Sequence, residues 1–356
     1  MMSRLVPMRS RSTDLSDACR HGGRTLGAML LVSVAMSGCS GSSSTPAERP
    51  DEAVAPEPEP VAEEQPPLRV HLSFDDAPYV DGKDPGPTPE EVMTLNRRIL
   101  ATLQQFDAPA SVFFNCDRLR PEERSVELWS EAGMVVGNHT SSHANLAKTP
   151  IDTWMEDVSR CHEQLSARLP QPPTWFRYPY LSQGDTRELR DDARDRLAAL
   201  GYDNAHITVA TTEWLLAFVY REAIAHGDEQ LRAEVVQAYR KHMVEAVEQG
   251  RILAQHETGA DTPQTVLFHV NELAADHLHE VLADYRDRGW QLVGLSEALA
   301  DPVFDRVDHY VGRGGLSWLA RIHEDPETRP RYWFGHEEGR LGQHFAHVWP
   351  PAPAAE

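Results

Sequence analysis

The stretch Leu68-Arg-Val-His-Leu-Ser-Phe-Asp-Asp76 decides how the rest of this sequence is interpreted. Apolar and polar residues alternate from Leu68 to Phe74, which is the two-residue period of a β-strand. Asp75 and Asp76 follow directly, so two carboxylates lie where a strand ends. Adjacent carboxylates repel each other, which raises the pKa of at least one of them unless a cation neutralises the pair. The stretch therefore indicates either a solvated turn or a site that holds a cation.

The rest of the chain alternates between strand-like and helix-like segments. After the first strand, short apolar runs predict further strands at 110–114, 134–137, 174–178, 206–210, 266–270 and 290–293. Apolar residues at helical spacing separate each run from the next, so we expect parallel strands joined by crossover connections. The alternation predicts an α/β fold with seven parallel strands, arranged either as an open doubly wound sheet or as a closed barrel.

Three segments carry distinct helix signals. The tetrapeptide 88–91 (Thr-Pro-Glu-Glu) supplies an N-cap, a proline at the first helical position and a capping-box glutamate, so a helix is predicted to begin at Pro89. A second helix is expected from about residue 121 to Gly133. From about residue 213 the pattern predicts two consecutive helices, of which the second ends at Gly250.

Reactive side chains fall where the predicted strands end. Asp75 and Asp76 follow strand one, His139 and His143 follow strand three, Arg177 ends strand four, Glu213 and Trp214 follow strand five, and His269 lies near the end of strand six. Parallel β/α proteins build their active sites at the carboxyl ends of the strands. The sequence therefore predicts that these distant residues converge on one rim.

His139 and His143 stand four residues apart and suggest a metal site. A single helical turn would bring both imidazoles to the same side. Together with one carboxylate of the Asp75-Asp76 pair they make a two-histidine, one-carboxylate set that leaves positions open for water and substrate. Such a set suits one divalent ion, with zinc favoured and other first-row ions permitted. The ion would also relieve the repulsion between the two carboxylates.

Four ordered motifs resemble those of the polysaccharide deacetylases with a NodB-homology domain, the fourth carbohydrate esterase family. They are Ser73-Phe-Asp-Asp-Ala-Pro78, His139-Thr-Ser-Ser-His143, Arg177-Tyr-Pro-Tyr180 and Leu267-Phe-His269. The resemblance covers roughly residues 68–300. It implies a distorted seven-stranded (β/α) barrel and the removal of acetyl groups from N-acetylglucosamine-containing glycans, such as chitooligosaccharides or peptidoglycan. It also implies a divalent metal cofactor.

The resemblance implies a role for each matching residue. Asp75 is expected to be the general base, and Asp76, His139 and His143 are expected to bind the metal. Arg177 would orient Asp75, the backbone N–H of Tyr180 would hold the oxyanion, and His269 would be the general acid. Trp214 would either wall the substrate groove or belong to the core.

The chain departs from the family pattern at three positions. Ala77 and Leu181 stand where the family often has glycine, which is expected to reshape two loops. Ala210 stands where many relatives carry an aspartate that tunes the catalytic histidine, so His269 is expected to be less basic and the enzyme slower if nothing replaces that carboxylate. Glu213, which precedes Trp214, is the candidate replacement.

Three other functions remain open at this point. The same machinery acting on an O-acetyl ester would make an esterase for xylan-type glycans. Because Ala210 replaces that aspartate, the chain could also be a weakly active or inactive glycan-binding homologue. An iron oxygenase fits the ligand types, although such enzymes usually place a histidine before the carboxylate.

Composition limits the partners of the chain. In 356 residues there are 34 basic and 55 acidic side chains, which give a net charge of −21. Binding to nucleic acid through charge is therefore not expected. Hydrophobic residues make up 40% of the chain, enough for a substantial core.

The N-terminal region predicts export. An apolar run at 25–37 follows several arginines, and Met36-Ser-Gly-Cys39 resembles a bacterial lipobox, so residues 1–39 are interpreted as a lipoprotein signal peptide ending at Cys39. Residues 40–67 are rich in Ser, Pro and Glu and predict a disordered linker. The catalytic domain is expected at 68–300, followed by an extension at 301–356 that packs on the barrel. We expect a protein anchored by lipid in the bacterial envelope and facing the periplasm.

Two cysteines remain once the leader and the lipidated Cys39 are set aside. They are Cys116 and Cys161, and an oxidising compartment permits them to pair. Their spacing alone does not decide whether they lie close enough to do so.

Overall fold

The computed structural model describes residues 67–80, 86–329 and 332–348. The predicted signal peptide, Cys39 and nearly all of the predicted linker lie outside these residues. Among the described helices, none combines the length and the apolar character that a membrane span needs.

Among the residues that the structure describes, seven strands form one parallel sheet. They are β1 (Arg69–Ala77), β2 (Ala110–Phe114), β3 (Val135–Asn138), β4 (Trp175–Phe176), β5 (Asp203–Asn204), β6 (Gln264–His269) and β7 (Gln291–Leu292). The order across the sheet is β5-β4-β3-β2-β1-β6, and β7 pairs with the first residues of β1. The parallel pairings confirm the predicted α/β class and its seven strands.

Helices connect successive strands and cover the sheet. They are α1 (Pro89–Gln105), α2 (Ser125–Glu131), α3 (Ile151–Ser166), α4 (Arg187–Ala199), α5 (Glu213–His226), α6 (Glu229–Thr258), α7 (Glu272–Asp287), α8 (Leu295–Leu299), α9 (Trp318–Arg321) and α10 (Tyr332–His344). The predicted start of α1 is confirmed, because Thr88 and Glu91 cap it reciprocally and Pro89 is its first residue.

Strand β1 lies at the centre of the hydrophobic core. Val70, Leu72 and Phe74 are fully buried, as the alternating pattern predicts. The Phe74 ring packs against Trp129 of α2 and Phe268 of β6, with ring centroids 5.6 and 5.3 Å apart. Burial of apolar area on this scale supplies most of the favourable free energy of folding. It also fixes the end of β1, where Asp75 and Asp76 emerge.

Strand five lies earlier than predicted. Its paired residues are Asp203–Asn204, whereas the apolar run suggested 206–210. The chain after β5 instead crosses to the free edge of β6, where Val209 forms a parallel bridge with Val266 and donates its amide hydrogen to Thr265 at 3.1 Å. The apolar run 206–210 therefore connects the β5 edge of the sheet to the β6 edge. Among the described residues, this single bridge takes the place of the continuous strand pairing that closes a regular barrel.

Helix α6 continues past Gly250, which was predicted to end it. A Cβ atom at Gly250 would lie 2.5 Å from Val209 Cγ2 and 2.6 Å from Gln264 Oε1. The glycine therefore permits close contact between α6 and the bridge region instead of stopping the helix. The stop comes at Gly259, whose φ of 77° gives the left-handed cap expected of a C-terminal glycine. Helix α2 is also shorter than predicted and begins at Ser125.

The residues after α8 contact the rest of the α/β domain at several points. The Trp318 amide donates to Ile207 O at 2.6 Å, and Trp318, Leu319 and Ile322 pack with Ala254 of α6 in a separate hydrophobic cluster. The carboxylate of Asp308 is buried and pairs with Arg194 of α4 and with Arg321. A disulfide joins Cys116, in the turn after β2, to Cys161 of α3, with Cα atoms 5.1 Å apart.

Candidate active site

Asp75 and Asp76 both reach the rim because β1 is irregular at its end. The pairing of β1 with β2 shifts register between Phe74 and Ala77, and Asp76 has a left-handed φ of 61°. In a regular strand two consecutive side chains would point to opposite faces. The left-handed residue changes the direction of the chain, so the two carboxylates share one site. Such backbone strain in a non-glycine residue is typical of functional sites.

His139 and His143 lie in an irregular loop after β3, and the predicted helical turn is wrong. Thr140 and His143 have φ values of 64° and 61°, which a right-handed turn excludes. Asn138 Oδ1 accepts the Thr140 amide hydrogen at 2.8 Å, and Thr140 Oγ1 accepts that of Ala144 at 3.2 Å. These side-chain acceptors replace the helical hydrogen bonds. The loop nevertheless places both imidazoles on the same side.

The structure brings Asp76, His139 and His143 together. Asp76 Oδ1 lies 3.4 Å from His143 Nε2 and 3.9 Å from His139 Nε2. One ligand atom from each residue falls within 4.8 Å of the other two. Donor atoms about 3 to 3.5 Å apart are what a tetrahedral ion with bonds of about 2.1 Å requires. The distances between these ligand atoms would need to shorten only slightly for all three to bind one ion.

The chemistry of these three residues fits a divalent metal. Asp76 Oδ1 is buried and makes no hydrogen bond to any described residue, an arrangement that is costly unless a cation binds there. His139 Nδ1 lies 2.7 Å from the carbonyl oxygen of Arg177, which fixes the hydrogen on Nδ1 and leaves Nε2 free to coordinate. Burial lowers the pKa of His139 and of His143 to about 4, so both imidazoles are neutral at physiological pH. A metal ligand needs this neutral form.

Asp75 is held by a buried arginine. Arg177 Nη1 donates to Asp75 Oδ1 at 2.9 Å, and both side chains are almost fully buried. Burial raises the pKa of Asp75 above its ordinary value, although the Arg177 charge opposes the shift. Asp75 Oδ2 lies 3.7 Å from His139 Nε2, so the free oxygen faces the metal ligands. A carboxylate with a raised pKa is a better proton acceptor than an exposed one.

Three further contacts fix Arg177 itself. Its Nη2 donates to Ser73 Oγ at 2.8 Å, and its Nε donates to the Ala205 carbonyl oxygen at 2.7 Å. The guanidinium carbon lies 4.5 Å from the centre of the Phe113 ring, a cation–π contact. The arginine therefore has little freedom to move, which fixes the position of the carboxylate it holds.

His269 pairs with Glu213. Glu213 was the candidate replacement for the aspartate that this chain lacks because it has Ala210. His269 Nδ1 lies 2.9 Å from Glu213 Oε2, and the Glu213 side chain is 0% exposed. Asn271 Nδ2 donates to the other carboxylate oxygen, Oε1, so both oxygens have partners. Burial alone would lower the pKa of His269, but the hydrogen bond and charge of Glu213, with the charges of Asp76 and Asp75, raise it to about 9. His269 is therefore protonated at neutral pH.

His269 and Asp75 are neighbours across the sheet. The register of β1 and β6 places their Cα atoms opposite each other, and the Val270 amide donates to Asp75 O at 3.2 Å. Side chains directly opposite each other in a sheet lie within reach of a common ligand. The geometry therefore puts a proton acceptor and a proton donor on adjacent strands at one rim.

Tyr180 lies beside the metal-ligand cluster in a strained turn. Its ring centroid is 4.4 Å from that of His143, and 58% of its surface is exposed. Tyr180 and Leu181 have φ values of 58° and 53°. The resemblance expects glycine at Leu181, and the left-handed conformation shows why, because a side chain there is strained. Gly315 lies so close that a Cβ atom would collide with the Tyr180 carbonyl oxygen.

Trp214 is placed less directly than the other residues. It follows Glu213 in α5 and is partly buried against the main hydrophobic core. This location agrees with the core alternative and leaves its groove role a prediction. Arg118 is a residue that the sequence reasoning missed: its Nη1 lies 3.5 Å from Asp76 Oδ1 and donates to the Asp76 carbonyl oxygen at 3.3 Å. Its position just after strand β2 was the available signal.

Comparison with known proteins gives a family match for part of the chain. Residues 62–205 match the family model described as polysaccharide deacetylase. A peptidoglycan-N-acetylglucosamine deacetylase of Bacillus cereus is 31% identical over 111 residues, which are 31% of this chain and 36% of that protein. The match therefore spans about a third of the length of that relative. Glu213 and His269 lie beyond the residues that the family model matches.

Solved structures of low sequence identity are also similar. A peptidoglycan deacetylase from Bacillus subtilis has 18% identity and a TM-score of 0.42, covering 80% of this chain and 98% of its own. A family 4 carbohydrate esterase from Streptomyces lividans, in complex with acetate, has 17% identity and a TM-score of 0.44, covering 65% and 95%. A pseudoenzyme of the same family from Bacillus anthracis has 17% identity and a TM-score of 0.47, covering 66% of each chain.

The family match covers three of the four motifs, those that contain the aspartate pair, the histidine pair and Arg177. In the structure these motifs occupy the ends of β1, β3 and β4. Residues 62–205 are therefore identified as a polysaccharide deacetylase domain, the NodB-homology domain of the fourth carbohydrate esterase family.

Proposed function

We propose that this chain is a metal-dependent hydrolase that removes acetyl groups from an N-acetylated glycan, such as a chitooligosaccharide or peptidoglycan. The observation that carries the proposal is the arrangement of the rim. Asp76, His139 and His143 converge there, and the Asp75–Arg177 pair and the His269–Glu213 pair lie beside them. A glycan-binding protein needs neither a carboxylate with a raised pKa nor a protonated imidazole.

Each residue has a defined task in this proposal. A divalent ion, zinc being favoured, would be held by Asp76, His139 and His143 and would supply Lewis acidity toward the acetyl carbonyl and the attacking water. Asp75 accepts a proton from that water as the oxygen attacks the carbonyl carbon. Arg177 keeps the carboxylate oriented throughout. The backbone N–H of Tyr180 donates to the developing oxyanion.

His269 completes the reaction. Its imidazolium donates a proton to the amide nitrogen as the carbon–nitrogen bond breaks, so acetate and a free amine are the products. Glu213 keeps the imidazole protonated at neutral pH and fixes its orientation. Glu213 thus performs the task that the family aspartate, absent at Ala210, has in relatives.

We also propose an exported protein held in the bacterial envelope. The Cys116–Cys161 disulfide supports an oxidising compartment. In this proposal residues 1–39 are the lipoprotein signal, Cys39 carries the lipid, residues 40–67 are the linker, and the domain faces the periplasm. The catalytic domain at 68–300 and the extension at 301–356 then act at a distance from the membrane.

The proposal is tested by acetate release. Zinc-loaded and chelated protein would be compared on chitooligosaccharides, peptidoglycan and acetylated xylan in parallel. We expect release from an N-acetylated glycan that stops on chelation and returns with the metal. Release from xylan alone would make the protein an O-acetyl esterase. Glycan binding without release from any acetylated substrate would make it a binding homologue.

A further inference from the structure

A second cluster of potential metal ligands lies far from the catalytic residues in sequence. It joins His256 and Glu257, in the last turn of α6, to His323, which follows α9. One ligand atom from each falls within 4.8 Å of the other two. Helix α6 ends just before β6 begins. The cluster therefore lies near the amino end of that strand, whereas His269 and the catalytic rim are at its carboxyl end.

Both imidazoles lie within hydrogen-bonding distance of the Glu257 carboxylate, slightly closer than the separation of about 3 to 3.5 Å between ligand atoms around a tetrahedral ion. His256 Nδ1 lies 2.9 Å from Glu257 Oε1, and His323 Nδ1 lies 2.9 Å from Oε1 and 3.0 Å from Oε2. Two imidazoles and one carboxylate are a donor set that first-row divalent ions prefer, zinc among them. The Glu257 side chain is 9% exposed and His323 15%, while His256 is 69% exposed. Two ligands are therefore fixed by the fold, and the third comes from the solvent side.

The hydrogen bonds of His323 show which nitrogen would bind a cation. Thr328 Oγ1 donates its hydrogen to Asp325 Oδ2 at 2.9 Å, so it must act as the acceptor for His323 Nε2 at 2.9 Å. The hydrogen of a neutral His323 then resides on Nε2, and the lone pair of Nδ1 points at the Glu257 carboxylate. Two acceptors this close repel each other unless a positive charge lies between them. Either a second proton on His323 or a metal ion supplies that charge.

The surroundings hold His323 in place and favour a cation. Arg329 Nη2 donates to the His323 carbonyl oxygen at 2.9 Å. Ile322, which precedes His323 in the chain, packs with Ala254 of α6. These apolar contacts hold His323 near the end of the helix. The cluster opens into a surface cleft of about 630 Å³ whose lining includes Asp305, Glu324 and Asp325 as well as Arg306. Acidic side chains therefore outnumber basic ones around the cluster in the described part of the chain.

We propose that His256, Glu257 and His323 form a second divalent-metal site, best suited to zinc, that fastens the C-terminal extension to α6. The cleft side is open to water as a fourth ligand. The site is separate from the catalytic one and takes no part in acetyl removal. Its effect is on the position and stability of α9 and the residues around it.

The test separates the two sites by mutation. Metal-free Asp76→Ala protein, which lacks a catalytic metal ligand, would be titrated with zinc chloride in a calorimeter. We expect one equivalent to bind in the low micromolar range or tighter. Adding His256→Gln or His323→Gln should weaken this binding at least about tenfold, since even the loss of an outer hydrogen-bond partner of a ligand lowers metal affinity by about that much. His256 is mostly exposed, so its variant keeps the test valid if His323→Gln fails to fold.

A matched control uses another surface imidazole. His344 Nε2 lies 2.6 Å from Glu234 Oε1, and both side chains are about half exposed. This pair belongs to no group of three potential ligands among the described residues. His344→Gln in the Asp76→Ala protein should leave zinc binding unchanged. Absence of micromolar binding in Asp76→Ala protein, or equal loss in the His344 variant, would overturn the proposal.

A second readout follows the extension directly. Amide hydrogen exchange of residues 316–323 should slow when zinc is added to Asp76→Ala protein, because the metal would tie His323 to α6. The same addition should not change exchange in Asp76→Ala/His256→Gln protein. Zinc-induced protection that persists in the His256 variant would show that the metal binds elsewhere, and the proposed site would be rejected.

Discussion

Two buried ion pairs flank the proposed metal ligands, and they are built in different ways. Asp75 and Arg177 come from motifs at the ends of β1 and β4, and four groups hold the arginine in place. His269 and Glu213 come from the end of β6 and the start of α5, and Asn271 is the neighbour that ties the glutamate. In the proposed reaction, the first pair keeps a carboxylate ready to accept a proton, and the second keeps an imidazolium ready to donate one.

The difference between the two ion pairs indicates which of their residues can be substituted. Each of the three nitrogens of the Arg177 guanidinium donates to a buried acceptor, so another residue would remove these hydrogen bonds. The partner of His269 needs only a carboxylate within reach of Nδ1. A glutamate at the first turn of α5 reaches it as an aspartate three positions earlier is expected to do in relatives.

Removing the carboxylate of Asp76 should stop the proposed reaction, in which both ion pairs take part. Asp76→Ala is expected to abolish metal binding at the catalytic site and nearly all turnover, since it removes the only anionic ligand of the described cluster. Metal analysis and acetate release measure the two effects. Asp117→Ala is the matched control, because that half-exposed carboxylate belongs to the turn after β2 and pairs with Arg160. Full activity in Asp76→Ala would reject the site.

Neutralising the base should separate chemistry from metal binding. Asp75→Asn is expected to lower kcat at least about a hundredfold, the lower end of general-base effects. Metal content should stay unchanged, because Asp75 is not among the proposed ligands. Steady-state rates together with metal analysis check both points. A rate near that of the unmodified protein would remove Asp75 as the base.

The acid side should respond mainly in its pH dependence. Because the pKa of His269 is raised to about 9, the rate should fall as pH rises through that value. Glu213→Gln removes the charge that raises it, so the alkaline limb should move toward the ordinary imidazole range, with a loss of about tenfold above neutral pH. A pH–rate profile measures the shift. Glu272→Gln, at a half-buried carboxylate that pairs with Arg221, should leave the limb unmoved.

The smallest effect on rate should come from the disulfide. Replacing Cys116 and Cys161 by alanine leaves both ion pairs in place but frees a loop of 45 residues in the unfolded chain. Stability should fall by about 2 to 4 kcal/mol, with little change in kcat for the folded protein. Denaturant unfolding and acetate release measure the two quantities. A large fall in kcat at full folding would link the disulfide to the rim.

The sequence predicted the site better than the element boundaries around it. Strand periodicity and the order of motifs were enough to bring Asp76, His139 and His143 to one rim, because the carboxyl ends of parallel strands meet there. The loop between the two histidines was predicted wrongly, since the side-chain hydrogen bonds that replace a helical turn depend on the loop's three-dimensional path.

Tertiary packing decided the features that were missed. The dipeptide Asp203-Asn204 has no strand character, and it pairs only because β4 lies beside it. Gly250 looked like a helix stop, but its role is set by Val209 on another element. The His256–Glu257–His323 cluster joins residues 66 positions apart, so no local spacing could reveal it. Only the position of the extension on α6 brings the three together.

The contact between Gly315 and Tyr180 has a practical consequence for protein engineering. A fragment trimmed at residue 300 would keep every residue proposed to act in catalysis, yet it would lose the backbone that lies directly against the turn at Tyr180. Swapping the rear segment for that of a relative would carry the same risk unless positions 180 and 315 were exchanged together. The smallest unit worth expressing therefore extends well beyond the last strand.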